Sequence, residues 1–238
     1  RLAAVLDRPA GALRAVALYA HCFTCGKNLR GATRVARLLA REGIATLRID
    51  FTGLGGSGGD FAQTGFRSNV EDLEIAADWL AEHLRAPAIL IGHSLGGAAA
   101  LAAAARLATV RGVATIGAPC NPQHVTHLLG DSLDEIRRAG AAEVTLAGRT
   151  FRIGSDFLDQ LENLSHAETI GQLDCDLLVM HSPHDRIVGV DQARCIFESA
   201  KHPKSFYSLA GADHLLGDPD HADHAAAVIA AWAGRVGV

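Results

Sequence analysis

The sequence predicts an α/β protein, a mostly parallel sheet with helices packed on both faces. Two observations carry this. Short apolar runs alternate along the chain with longer stretches of helical periodicity, the order that buries parallel strands between helical layers. One of those runs, Ala88-Ile89-Leu90-Ile91, also leads through Gly92-His93-Ser94-Leu95-Gly96 directly into the alanine-rich helical run from Gly97 to Leu107. With 238 residues, 49% of them hydrophobic, one domain over 1–238 can bury a sizeable core.

In chain order, the pattern predicts a strand at 15–20, a helix near 28–42, a strand at 44–50 and a helix near 69–84. Ser68-Asn69-Val70-Glu71 reads as a capping box that starts this second helix. A strand at 88–92, the helix after Ser94 and a strand at 112–117 follow. Later come a strand at 175–181, a helix near 190–200, a strand at 205–209 and a helix near 221–234. The span at about 121–173 is too long for a simple connection and reads as a small cap insertion. Within it, Ser132-Leu133-Asp134-Glu135 is a capping box, and Glu143 to Gly154 alternates around Ala147-Gly148 like a hairpin. Phe157, Leu158, Leu161 and Leu164 share one helical face.

The net charge of −4 is mild and mixed in sign, which argues against nucleic acid and anionic membranes as partners. No apolar run approaches the roughly 20 residues that span a bilayer, and Arg1 to Asp7 lacks the apolar core of a signal peptide. The five cysteines are odd in number and scattered beside apolar segments. That pattern is expected of unpaired thiols in a reducing cytoplasm rather than of a disulfide framework.

Gly92 to Gly96 places a serine at the apex of a turn too sharp for a Cβ on either flank. A serine hydroxyl needs a base, and the base an orienting acid. Asp185 and His214 each fall just past the C-terminal end of a predicted strand, where open α/β sheets gather ligands. Ser94 is therefore read as nucleophile, His214 as general base and acid, and Asp185 as orienting acid. Asp213 is too close in sequence to reach the His214 Nδ1, and Asp191 is expected to open the next helix. The oxyanion amides are assigned to Leu95 and to Phe23, with Cys22 as the alternative to Phe23.

Taken in order, His21-Cys22-Phe23, Asp50-Phe51-Thr52-Gly53-Leu54-Gly55-Gly56-Ser57, Gly92 to Gly96 and the Asp185/His214 pair resemble the α/β-hydrolase superfamily. More narrowly, His21-Cys22-Phe23-Thr24-Cys25, Phe51-Thr52-Gly53-Leu54-Gly55 and Ala114-Thr115-Ile116-Gly117-Ala118-Pro119 resemble the hydrolase half of bacterial hydrolase/OsmC-type fusion proteins. The chain is also similar to small cinnamoyl-esterase-like carboxylesterases with a short cap. The resemblance implies an α/β-hydrolase fold and a serine esterase that forms an acyl-enzyme. Many relatives carry glycine where Cys22 stands. An OsmC-type domain is a partner in such relatives and is not expected in this chain. The reading admits a homodimer.

Rival signals are weaker. Gly53 to Gly58 fits the dinucleotide fingerprint, but a further loop and not a helix follows it. Cys22-Phe23-Thr24-Cys25 fits a thiol redox module, which would leave Ser94, Asp185 and His214 unused. A catalytically silent binding protein on the same scaffold is the third class. Asp218, Asp220, His221, Asp223 and His224 read as helix capping, and His124 and His127 as a surface pair, so no metal or other cofactor is expected. The expected substrate is a small soluble ester in a compact apolar pocket beneath the cap, walled by Phe23, Phe157 and Leu161. The rate is expected to fall on acidification through about pH 6–7, as a histidine base loses its lone pair.

Overall fold

The alternation resolves into a seven-stranded sheet in the computed structural model, which describes residues 1–146, 148–162 and 166–236. The strands are β1 (Ala4–Asp7), β2 (Ala15–Ala20), β3 (Ile44–Ile49), β4 (Ile89–His93), β5 (Gly112–Ile116), a separate hairpin of β6 (Ala141–Leu146) and β7 (Arg149–Gly154), then β8 (Asp176–His181) and β9 (Lys204–Ser208). The helices are α1 (Arg30–Arg41), α2 (Phe66–His83), α3 (Leu95–Ala104), α4 (Ser132–Ala139), α5 (Ser155–Glu162), α6 (His166–Gln172), α7 (Val190–Ser199) and α8 (Pro219–Arg235).

The sheet order is β1-β3-β2-β4-β5-β8-β9, and every pairing is parallel except the antiparallel β1–β3 edge. The pleat sends alternate side chains to opposite faces. Ala15, Ala17 and Tyr19 join one core with α1 and α8, while Val16, Leu18 and Ala20 join the other with α2 and α3. All residues of β2, β3, β4 and β5 are buried, as doubly covered strands require.

β1 is an addition to the sequence reading. Four half-exposed residues carry too little periodicity to announce a strand; their place is fixed by pairing Ala4 with Ile49 and by the ion pair of Asp7 with the buried Arg48 at 2.8 Å. The second helix also begins earlier than its predicted cap, at Phe66. Ser68 stands in its first turn and accepts the Gly65 amide at 3.0 Å, so it bonds back to the helix entrance and is not itself the cap. Similarly, α4 starts on Ser132 with no side-chain cap bond.

The expectation of unpaired cysteines is corrected. Cys22 pairs with Cys25, and Cys120 with Cys195, which lies 75 residues away in sequence but with Cα atoms 5.8 Å apart. The second pairing follows from folded proximity, which cysteine spacing cannot reveal; the first closes the C-x-x-C loop. Cys175 is the free thiol among the described residues, and burial, with Asp176 and Asp174 nearby, pushes it up to about 11.

The segment between β5 and β8 holds a 3-10 turn at Pro122–Leu129, α4, the β6–β7 hairpin, α5 and α6. Phe157, Leu158 and Leu161 are buried together on α5, whereas Leu164 and Ala147 lie outside the described residues. Among the described residues, no helix is long and apolar enough to cross a membrane.

Candidate active site

Ser94 links β4 to α3 with φ 53° and ψ −128°, a left-handed conformation that costs a side-chain-bearing residue energy. The flanking glycines make the turn sterically feasible. A Cβ on Gly92 would overlap the Gly96 carbonyl and the Gly97 Cα, and one on Gly96 would overlap the His21 and Ala20 carbonyls. Gly96 thus lets the start of α3 lie against the end of β2. Ser94 N–H donates to the Ile116 carbonyl at 2.9 Å, tying the turn to the neighbouring strand. As the first residue of α3, Leu95 has no carbonyl a turn behind it in the helix, so its amide is one of the orphan donors of that terminus.

Asp185 follows β8 and His214 follows β9. His214 Nδ1–H donates to Asp185 Oδ2 at 2.7 Å, which leaves Nε2 as the acceptor nitrogen of the ring. Asp185 Oδ1 accepts the Ile187 and Val188 amides at 2.9 and 3.0 Å. Burial works to raise the Asp185 pKa, but the His214 hydrogen bond and those two amides outweigh it and hold the carboxyl below its usual range. Asp213 is occupied elsewhere, its Oδ1 accepting the Leu215 and Gly217 amides at 2.8 and 3.1 Å. Asp191 sits in the first turn of α7, bonded to the Gln192 side chain.

Several residues join the site that the sequence reading passed over. Gly117, at φ +55°, follows the carbonyl that receives Ser94, and a Cβ there would stand 3.2 Å from Asp185 Oδ2 and 3.4 Å from His214 Nδ1. Glycine at the end of β5 therefore leaves space for the acid and imidazole, one residue from the serine's anchor. His93 Nε2–H donates to the His214 carbonyl at 2.6 Å, and the two rings lie 5.1 Å apart. Burial, with His214 adding to it, pushes His93 down to about 3, so it stays neutral. His181 Nε2–H holds the Val188 carbonyl at 2.8 Å behind Asp185. The only signal for these roles was adjacency to the strand ends.

The loop from His21 to Cys25 faces the start of α3. His21 is buried and neutral, its Nδ1–H donating to the Cys22 carbonyl at 2.8 Å and its Nε2 accepting the Phe51 amide at 3.2 Å. Burial lowers its pKa to about 4. The Phe23 ring stacks on Phe157 at 5.3 Å and meets Phe61 at 5.9 Å, joining this loop to the insertion. Leu161 is wholly buried and Phe157 nearly so, so both pack the insertion onto the core, with Phe157 directly behind Phe23.

The other motifs have local explanations. Gly53 to Gly58 folds around Asp50, whose carboxylate accepts the Lys27 and Gly56 amides at 2.6 and 2.8 Å and pairs with Lys27 Nζ at 2.5 Å. A short 3-10 turn at Phe61–Gln63 follows, not a phosphate-binding helix. Asp218 caps α8 by accepting the Asp220 amide at 2.9 Å, Asp223 pairs with Arg34, and His224 bonds Tyr207. His124 and His127 lie in a partly exposed 3-10 turn with their rings 4.9 Å apart. Among the described residues no group of three or more His, Cys, Asp or Glu is gathered as a metal centre.

The esterase domain of a Rhodothermus marinus protein is 45% identical over 99% of this chain and 98% of its own, with a TM-score of 0.80. The chain belongs to the α/β-hydrolase superfamily. The family model described as Serine aminopeptidase, S33 (Hydrolase_4) matches residues 25–139 of this hydrolase. Est1E from Butyrivibrio proteoclasticus, in a structure with ferulic acid bound, has a TM-score of 0.85 at 20% identity, covering 98% of this chain and 94% of that one. Alpha/beta hydrolase domain-containing protein 10 from mouse has a TM-score of 0.79 at 23% identity, covering 99% and 94%. These last two likenesses concern the fold alone. None of the curated proteins matches the chain.

Proposed function

We propose that this hydrolase is a serine carboxylesterase that cleaves small soluble esters through an acyl-enzyme. The observation that carries the reading is the Asp185–His214 pair, bonded at 2.7 Å against Gly117, while Ser94 is anchored to the adjacent Ile116 carbonyl. In this reading His214 Nε2 takes the Ser94 hydroxyl proton as Oγ attacks the ester carbonyl. The carbonyl oxygen gains the negative charge, and the Phe23 and Leu95 amides stabilise it. The imidazolium, held by ionised Asp185, then protonates the leaving alkoxide. Water attacks the acyl-enzyme with His214 again as base, releasing the acid and restoring Ser94.

The insertion at 121–173 acts as a small cap over this centre, within a single 1–238 hydrolase domain. Phe23, backed by Phe157 and Leu161, forms the acyl wall, which suits short aliphatic or simple aromatic acids. The 45% identical esterase domain supports ester chemistry. A cytoplasmic enzyme acting on a diffusible ester belongs to the same reading.

A fluorophosphonate probe tests it by reporting activated serine before the physiological ester is known. Ser94 should carry the label, with loss of p-nitrophenyl acetate hydrolysis in proportion. Labelling elsewhere in active protein would refute the assignment. Faster cleavage of leucine p-nitroanilide than of any p-nitrophenyl ester would turn it toward an aminopeptidase.

A further inference from the structure

The loop between β2 and α1 carries a pair that the hydrolysis described above does not use. We infer that Cys22–Cys25 is a thiol-exchange site, through which a dithiol reductant sets the turnover of the hydrolase. This rests on the function proposed above and names a regulation of the same centre.

The pair is placed for exchange. Cys22 is buried, while Cys25 is partly exposed at the loop surface and offers its sulfur to an incoming thiolate. The bond spans a sequence separation of 3, against 75 for Cys120–Cys195. Cys195 packs against the hydrophobic core, whereas Cys25 lies in the surface loop after β2, so Cys22–Cys25 is the pair that an incoming thiolate reaches first.

The chemistry balances with a dithiol as co-reactant. One thiolate of the reductant attacks Cys25 Sγ, forming a mixed disulfide and expelling Cys22 as thiolate, which takes a proton. The reductant's second thiol then attacks its own sulfur in the mixed disulfide and releases Cys25. The reductant leaves as a cyclic disulfide; two electrons and two protons have passed to the pair.

Opening the bond bears directly on the hydrolytic centre. Between the two cysteines lie Phe23, whose amide is assigned to the oxyanion and whose ring is the acyl wall, and Thr24 at φ +57°. A left-handed threonine is unfavourable and persists only where its surroundings hold it. The disulfide closes that turn covalently; without it, the Cys25 amide to Cys22 carbonyl bond at 3.1 Å, the Thr24 hydroxyl to Phe23 carbonyl bond at 2.7 Å and the Arg149 bond to the Thr24 carbonyl at 3.3 Å remain. Thr24 can then relax, and the Phe23 amide moves with it. His21 stays anchored to Phe51, so the change is confined to the loop.

The test compares oxidised enzyme with enzyme treated with dithiothreitol and freed of it by desalting. Iodoacetamide mapping by mass spectrometry identifies the opened pair. Opening of Cys22–Cys25 should lower kcat on p-nitrophenyl acetate by roughly a hundredfold to a thousandfold, the scale of a lost oxyanion donor, and reoxidation should restore it. Far-UV circular dichroism should be unchanged. Cys22→Ala/Cys25→Ala should match the reduced enzyme and ignore the reductant. Unchanged kcat with the pair opened, opening of Cys120–Cys195 alone, or loss of the helical signal together with activity would each overturn the proposal. Fluorophosphonate labelling of Ser94 in the oxidised enzyme separates that failure from failure of the esterase reading, which would remove both.

Discussion

Asp185 engages both of its oxygens, one with the His214 ring and the other with two backbone amides. Asparagine can keep the amide side through its own oxygen, but its NH₂ then faces Nδ1. His214 would have to take the opposite tautomer, with its proton on Nε2 pointing at the serine. Asp185→Asn is therefore expected to retain the fold and lose about ten-thousandfold in kcat, as tautomer inversion does in triad enzymes. Asp213→Asn should be mild, since one oxygen suffices for the Leu215 and Gly217 amides. Turnover of p-nitrophenyl acetate beside melting temperature separates the two, and the reverse order would show that the acid is misassigned. That Asp185 rather than Asp213 meets the His214 ring was legible from sequence adjacency alone. The part of Gly117 was not, because it depends on which loops the sheet order brings to the end of β5.

At the scale of elements, α5 is where substrate choice is predicted to reside. Phe157 backs Phe23 through a stacked contact at 5.3 Å, and Leu161 sits one turn further along the same buried face. Shaving both to alanine should open the acyl wall and shift the preferred p-nitrophenyl ester toward longer chains. Lost packing should also cost stability, roughly 2–5 kcal/mol for each residue. A panel of acyl lengths, run below the lowered melting temperature, measures the shift; an unchanged preference would mean that α5 only packs. The α5 face and the β6–β7 hairpin were both readable, since 3.6-residue and two-residue periodicities are local signals. The start of α2 was not, because Ser68 has the residue type of a cap and serves as the bonding partner of Gly65. The Cys120–Cys195 disulfide was illegible for the converse reason, as it reports a contact between distant segments, whereas Cys22–Cys25 lies within one C-x-x-C loop.

For the whole molecule, pH is the variable that several buried groups share. Burial holds His21 and His166 at about 4 and His93 at about 3, against 6.5 for free histidine. Between those limits the unfolded chain binds protons that the folded chain refuses, so acid favours unfolding. Stability should be complete above about pH 6.5 and decline toward pH 4, by about 3 kcal/mol for each ring and on the order of 10 kcal/mol in total. Asp50 and Asp185, whose pKa values are lowered, extend the loss to still lower pH, while Asp72, raised by burial, opposes it. Melting temperature against pH gives the measurement, and a flat profile from 6.5 to 4 would contradict the burial of these rings as neutral groups. The sheet itself was the most legible part, since buried parallel strands such as β2 appear as unbroken apolar runs. Its antiparallel edge, β1, was not.

The order β1-β3-β2-β4-β5-β8-β9 also has a consequence for biosynthesis. Every pairing in that sheet joins strands distant in sequence, so assembly waits on long-range closure. A nascent chain that has emerged through β5 can already pair β2, β3, β4 and β5 around the serine turn. It holds neither the acid that follows β8 nor the imidazole that follows β9. On the function proposed above, Ser94 thus spends the middle of its synthesis built but inert, and in refolding the recovery of turnover should trail the recovery of helix and sheet.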